Sequence, residues 1–251
     1  MSAQSTLKRH FTDQQLAALD PSCIPTHIAI IPDGNRRWAL RRAAAAIIGH
    51  ERGADTLTTV VEAAKELGIK ALTIYTFSTE NWQRPKEEVT ALMWLFERYV
   101  RKQEATMIQE GTRLMTIGDL SQIPDSVRHS FEQVKQSTAH CTDIDLILAI
   151  NYGGRNEICR AVKKLHQDIK EGKVDKDFDE ETLAQYLDTA PWGDPQLLIR
   201  TSGELRTSNF LVWQLAYTEF YLANVLWPEF SPQHLYEAVV AFQKRERRLG
   251  S

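Results

Sequence analysis

Short, nearly uninterrupted apolar runs alternate with amphipathic helical stretches along almost the whole sequence. HIAII (27–31) and ALTIYTF (71–77) are too short for a helix and apolar nearly throughout, as strands buried on both faces of a sheet are. Between them, ADTLTTVVEAAKELG sets Leu57, Val60, Val61, Ala64 and Leu67 on one helical face, with Gly68 placed as a C-cap. The stretch RPKEEVTALMWLFERYVRKQEATMIQEG opens with a proline and carries the stripe Val89, Leu92, Met93, Phe96, Tyr99 and Val100, which predicts a long helix. RLMTIGD (113–119), DIDLILAINYGGR, QLLIRTSG and TEFYLAN supply further strands. PDSVRHSFEQVKQST, NEICRAVKKLHQDIKEG, ETLAQYLD and SPQHLYEAVVAFQKRERR supply further helices, with a charged linker over 170–180. This order, without internal repeats or a long linker, predicts one α/β domain over 1–251: a mostly parallel central sheet of about six strands flanked by helices. Residues 1–22 are expected to form a less ordered N-terminal segment.

Composition narrows the class. Of 251 residues, 43% are hydrophobic, enough for a sizeable core, and 25% are charged, close to the globular average. A formal net charge of -3 argues against a generic nucleic-acid coat and leaves room for a local basic pocket. Cys23, Cys141 and Cys159 are scattered without a CxxC, so they read as buried reduced thiols, not as a disulfide framework or zinc site. Residues 1–20 are polar rather than signal-like, and no apolar run approaches the roughly 18 residues of a membrane span, so a cytoplasmic protein is expected.

In an open α/β sheet, ligands bind beyond the carboxyl ends of the strands. Four strands end there in polar stretches: PDGNRRW (32–38), STENWQR (78–84), NYGGRNE (151–157) and RTSGELRTS (200–208). Asp33 has two readings. It is a turn residue or helix N-cap, since Asp-Gly-Asn is ordinary turn chemistry. Alternatively, a helix start with Arg36, Arg37, Arg41 and Arg42 holds a phosphate, and Asp33 helps ligate its divalent metal. Arg200, Arg206 and Ser208 either hold a second phosphate or diphosphate or form surface salt bridges with Glu204. Trp82 is core packing or a contact for a greasy tail, and the stripe on the long helix is core or the wall of a hydrophobic tunnel. Neither a GxxxxGK[ST] loop, a GxGxxG fingerprint nor a Gly-x-Ser-x-Gly elbow occurs.

Taken together, HIAIIPDGNRRWA, TIYTFSTENWQRPKEEV, NYGGRNEI, LLIRTSGELRTSNFLVWQLAYTEFYL and LWPEF resemble the cis-prenyltransferase family, most closely its bacterial undecaprenyl diphosphate synthases, from about His27 to Gly250. The resemblance implies a magnesium-dependent transferase that condenses isopentenyl diphosphate onto an allylic diphosphate such as farnesyl diphosphate. Its product would be a polyprenyl diphosphate of the kind used as a lipid carrier for cell-wall synthesis. It implies Asp33 as catalytic residue and magnesium ligand, with Glu219 as the second protein ligand. Gly34, Asn35, Arg36, Arg37, Trp38 and His50 would face the allylic diphosphate. Ser78, Thr79, Glu80, Trp82 and Arg84 would line the centre, and Asn81 matches the position assigned to proton abstraction. Arg200, Arg206, Thr207 and Ser208 would hold isopentenyl diphosphate. The resemblance also implies a homodimer, with the terminal RRLG reaching a neighbouring subunit's site, no nucleic-acid partner, and only peripheral membrane contact for product release.

Two positions depart from the family pattern. Ala46, in LRRAAAAII, stands where an arginine commonly helps bind the allylic diphosphate, and the alanine run is expected to stiffen a segment that is normally a mobile lid. Arg42, four residues earlier, is expected to share its helical face and stand in. Leu205 stands where close relatives can have histidine. Asn81 is expected to orient rather than accept the proton, since a neutral amide is a poor base. Two rivals remain: a non-catalytic subunit of the same fold, and a phosphohydrolase with Asp33 as nucleophile.

Overall fold

The structure is a computed structural model and describes residues 9–245. Its six strands are β1 (His27–Ile31), β2 (Ala71–Ser78), β3 (Thr112–Ile117), β4 (Ile144–Tyr152), β5 (Leu197–Thr201) and β6 (Glu219–Ala223). They form one sheet in the order β3-β4-β2-β1-β5-β6, every pair parallel. The helices are α1 (Asp13–Ala17), α2 (Asn35–Arg41), α3 (Ala46–Glu66), α4 (Lys86–Gln109), α5 (Asp125–Ser137), α6 (Gly154–Lys170), α7 (Glu180–Ala184) and α8 (Pro232–Gln243). None of the described helices is long and apolar enough to cross a membrane.

The unbroken apolar strands follow from burial of both faces of the sheet. Ile28 and Ile30 enter the larger core cluster with residues of α3, α4, α5 and α8, whereas Ala29 and Ile31 enter a smaller one with Phe210, Leu211 and Leu215. A β-bulge in β2 shifts the register between Tyr75 and Phe77. In a regular strand these two would share a face. The bulge instead stacks Tyr75 on Phe210, ring centroids 4.4 Å apart, and puts Phe77 edge-on against Trp82 and Phe96 in the larger cluster.

The described part of the N-terminal segment is docked. Phe11 and Leu19 are buried in the larger cluster, the His10 backbone N–H donates to Glu66 on α3, and the Tyr236 hydroxyl donates to the Gln15 carbonyl. Anchors this widely spaced leave no periodicity to read. The thiol expectation holds for Cys141 alone; Cys23 and Cys159 are exposed, and all three are free.

The alanine run does not stiffen a helix. α2 ends at Arg41, α3 begins at Ala46, and between them Ala43 adopts a left-handed φ of 51°. The cause is the contact beyond the break. A Cβ at Gly49 would lie 2.1 Å from the Asn35 carbonyl oxygen, so α2 folds back hard against α3, which a continuous helix does not allow. Arg42 and Ala46 therefore share no helical face. Arg42 donates to Glu229 at 3.0 Å and stacks over Trp38 at 4.2 Å.

Candidate active site

From β1 the chain turns to β2 on one side, and from β5 it turns to β6 on the other. The crevice between the carboxyl ends of β1 and β5 is thus a topological switch point, where open α/β sheets bind ligands. Asp33 sits there with its backbone over-determined. Its carbonyl accepts from the Trp227 N–H (2.9 Å), the Thr201 hydroxyl (2.7 Å) and the Ser202 hydroxyl (2.9 Å). Gly34 follows at φ 108°, where any Cβ would lie 2.5 Å from the Ser202 oxygen. Gly34, not Asp33, is the N-cap of α2, which leaves the carboxylate free for the crevice.

Arg200, buried near the end of β5, donates to Asp33 Oδ2 at 2.9 Å, to the Ser208 hydroxyl at 2.9 Å and to the Arg206 carbonyl. Arg37 donates to Asp33 Oδ1 at 3.1 Å and to Glu204 at 3.2 Å. Burial pushes the Asp33 carboxyl up, but the hydrogen bonds and charges of Arg200 and Arg37 outweigh it and hold the group below the usual carboxylate value. The loop after β5 is strained: Ser202, Ser208, Asn209 and Leu211 all have positive φ. It is held by the Tyr75 hydroxyl on the Ser208 carbonyl (3.2 Å), by the Gly154 N–H on the Asn209 carbonyl (2.7 Å), and by Asn209 Nδ2 on Glu80 (2.9 Å). Behind it, buried Glu157 accepts from the Tyr152 hydroxyl and from Gln214 Nε2.

Opposite, His50 on α3 accepts at Nδ1 from Asn35 Nδ2 (3.4 Å). Burial, reinforced by Arg84, holds its pKa down at about 4, so the ring is neutral near pH 7. Three buried polar atoms have no partner here: His50 Nε2, Asn35 Oδ1 and Arg200 Nε. Glu88, in the first turn of α4, pairs with Arg84 at 3.0 Å and lies 3.8 Å from both His50 Nε2 and Arg36 Nε. The stretch 79–83 is a 3-10 turn, and Asn81 caps it by accepting the Ser78 N–H at Oδ1, 3.1 Å away. That bond occupies the oxygen a base would need. Trp82 packs on the larger core cluster and donates to Asn151 Oδ1 at 2.8 Å, as the core reading expects.

These groups line one cleft of about 570 Å³: Asp33, Asn35, His50, Ser78, Glu80, Asn81, Arg84, Arg200 and Ser208 all face it, within the usual size of a small-molecule site. Tyr75, Thr76 and Asn209 also line it, and Glu88 and Glu204 organise its cations. The excess of Ser, Gly and Asn in the 200–209 loop signalled a special backbone, but not which side chain the loop would present. The cleft narrows into an apolar cavity of about 80 Å³ between α3, α4 and the sheet, sharing Pro32, Asn35, His50, Thr76 and Leu92 with it. This narrow cavity lies where the sequence predicts a tunnel.

Other expected residues lie outside the cleft. Arg36 and Arg37 border a shallow depression with Leu40, Ala44 and Ala46. The seven-residue α2 is too short to carry the expected helix-start anion site. Arg206 is exposed and pairs with Glu204, as the salt-bridge reading expects. Thr79 and Thr207 are half-buried outside it, Trp38 supports Arg42, and Leu205 is exposed. Glu219 is the clear correction. It begins β6, in register with Leu197 at the start of β5, and pairs with Arg245. A parallel strand puts its first residue at the edge opposite the strand ends, about 13 Å or more below the crevice. Within one chain Glu219 and Asp33 cannot share an ion, and no cluster of three or more potential metal ligands occurs among the described residues. The terminal RRLG lies outside the described residues.

Residues 31–250 match the family model described as "Putative undecaprenyl diphosphate synthase". An isoprenyl transferase from Chlamydia trachomatis is 47% identical over 232 residues, covering 90% of this chain and 92% of that protein. One from Clostridium tetani is 45% identical over 233 residues, covering 92% and 91%. Among solved structures, lavandulyl diphosphate synthase from Lavandula x intermedia in complex with dimethylallyl diphosphate superimposes with a TM-score of 0.89 at 35% identity, covering 92% of this chain and all of that one. A "probable undecaprenyl diphosphate synthase" from Campylobacter jejuni gives 0.76 at 34% identity, covering 90% and 99%. The sheet order, the strand-end cleft and these relatives agree: the chain belongs to the undecaprenyl diphosphate synthase family of isoprenyl transferases, enzymes of cis-prenyl chain elongation.

Proposed function

We propose that the cleft condenses isopentenyl diphosphate with an allylic diphosphate, farnesyl diphosphate being the expected primer, to give an undecaprenyl-type polyprenyl diphosphate. The observation that carries this is the set of three unpartnered buried polar atoms on a cleft that turns apolar within a few ångströms. Such a site suits an amphiphile with an anionic head and a hydrocarbon tail. His50 Nε2–H and the Asn35 amide meet the allylic diphosphate, while Arg200, Ser208 and the more exposed Arg206 meet isopentenyl diphosphate. Holding two anions side by side lowers the entropic cost of their encounter.

Magnesium fits Asp33 when it arrives on a diphosphate. The ion is commonly held by one or two carboxylates plus substrate phosphates, and Asp33 is the only cleft carboxylate besides Glu80. When bound, the ion supplies positive charge against the negative charge that builds on the departing diphosphate. The double bond of isopentenyl diphosphate attacks C1 of the allylic chain, the C–O bond to diphosphate breaks with its electron pair, and a proton leaves C2. Arg200 and Arg37 stabilise the charge on the leaving group. With Asn81 Oδ1 occupied by Ser78, Asn81 orients substrate, and a phosphate oxygen or water takes the proton. Glu219 serves a cleft only from another copy of the chain, which ties the expected homodimer to the metal site. A cytoplasmic enzyme releasing product at a membrane surface completes the reading.

The test is incubation with magnesium, farnesyl diphosphate and labelled isopentenyl diphosphate. Labelled lipid is expected. Free phosphate alone would favour the phosphohydrolase, and no product at all would favour a non-catalytic subunit.

A further inference from the structure

The apolar cavity does not end in solid core. On its far side, still between α3 and α4, lies a second cavity of about 30 Å³, and Tyr99 lines both. On α3 the first cavity is bounded by His50, Gly53, Ala54 and Leu57, the second by Thr58, Val61, Glu62 and Lys65. The sheet wall likewise passes from Leu148 in the first to Leu146 and Thr112 in the second. Between them the Tyr99 and Thr58 hydroxyls share a hydrogen bond of 3.1 Å that spans from helix to helix. Beyond the second cavity, Lys65 pairs with Glu110. The order is cleft, apolar cavity, Tyr99–Thr58 bar, small cavity, ion pair.

We propose that Tyr99, braced by Thr58, is the chain-length stop of this protein: the ring against which the growing prenyl tail ends, or which it must displace to grow further. This rests on the prenyl-elongation reading of the cleft. From His50 to Thr58 is eight residues of α3, about 12 Å of depth at 1.5 Å per residue. An extended prenyl chain advances roughly 5 Å per five-carbon unit, four C–C bonds of about 1.5 Å each. The tail therefore meets the ring after two to three units. From His50 to Lys65 is about 22 Å, so removing the ring admits about two more units before the ion pair. Polar groups at the bar need a reason in so apolar a passage. Each hydroxyl satisfies the other while both helices stay in place, and truncating either one opens a path instead of merely enlarging a packed core.

The test is the length distribution of labelled lipid made from farnesyl diphosphate and excess isopentenyl diphosphate by full-length protein. Tyr99→Ala is expected to move the distribution longer than wild type by one or more five-carbon units. Thr58→Phe in the Tyr99→Ala background, returning a ring from the opposite helix, is expected to move it back. If Tyr99→Ala does not fold, Tyr99→Leu is read in the same way. An unchanged distribution in a folded Tyr99 variant that still makes lipid overturns the proposal. Wild-type protein that makes no lipid overturns instead the elongation reading on which it rests.

Discussion

Replacing Asp33 by asparagine removes one negative charge from the cleft and keeps an acceptor oxygen for Arg200. Arg200 is 4% exposed, and its other acceptors, the Arg206 carbonyl and the Ser208 hydroxyl, are neutral. A charge-assisted hydrogen bond contributes about 1.5–3 kcal/mol and a neutral one about 0.5–1.5, so Asp33→Asn should cost on the order of 1 kcal/mol of stability. The Arg37 contact adds little, because that side chain is nearly half exposed. Asp33→Ala leaves the buried guanidinium no replacement acceptor and should cost about twice as much. Turnover should fall more than about a hundredfold in both, since both remove the carboxylate that places charge against the leaving group. Urea denaturation of magnesium-free protein reads the first quantity, and labelled isopentenyl diphosphate incorporation reads the second. A folded Asp33→Asn within tenfold of wild-type turnover would remove Asp33 from the chemistry. An Asp33→Ala as stable as Asp33→Asn would show that Arg200 is not held by this ion pair.

Arg200→Ala should raise KM for isopentenyl diphosphate by about ten- to a hundredfold and Arg206→Ala by less than about tenfold, because Arg206 is exposed and shares its charge with Glu204. Equal effects on KM for the allylic primer would contradict two separate anion sites. Burial holds the pKa of both His27 and His50 at about 4, below 6.5, so the unfolded chain binds protons that the folded one refuses. Stability should therefore be complete above about pH 6.5 and decline towards pH 4, by up to about 3 kcal/mol for each histidine. His27→Gln should flatten that slope, and urea melts across the range that keep the wild-type slope would refute it. Ala46→Arg should tighten primer binding by at most about tenfold and be additive with Arg42→Ala within about 0.5 kcal/mol, because Arg42 is committed to Glu229 and Trp38. A double-mutant cycle on primer affinity showing larger coupling would mean that the two positions share a ligand after all.

The strands were legible because each is a short apolar run between turn residues, and the cleft was legible because polar stretches follow four of them. The bulge at Tyr75–Phe77 was not, since a one-residue slip leaves no trace in composition. The break at 42–45 was masked by alanine, the best helix former, and is imposed by the approach of Gly49 to Asn35, a tertiary cause. The placement of Glu219 could have been read. A residue that opens a parallel strand and a residue that follows one lie at opposite edges, and the sequence already put TEFYLAN in the first position and PDGN in the second. Glu88 was quoted inside RPKEEV yet passed as an ordinary acidic first turn, because three cations reach it only through the packing of α2 and α3 on α4.

The position of β1 also bears on how the chain is made. Its neighbour β5 is about 170 residues away, and Asp33 meets Arg200 across 167 residues. As the polypeptide leaves the ribosome, β1 can pair with β2 early, but its other edge stays open until roughly four-fifths of the chain has been synthesised. That edge belongs to HIAII, a flat apolar strand of the kind that recruits foreign strands. Pairings this distant in sequence also form slowly. The stretch that aims the carboxylate is thus the nascent chain's most exposed aggregation hazard, and the catalytic crevice is among the last features to form during synthesis.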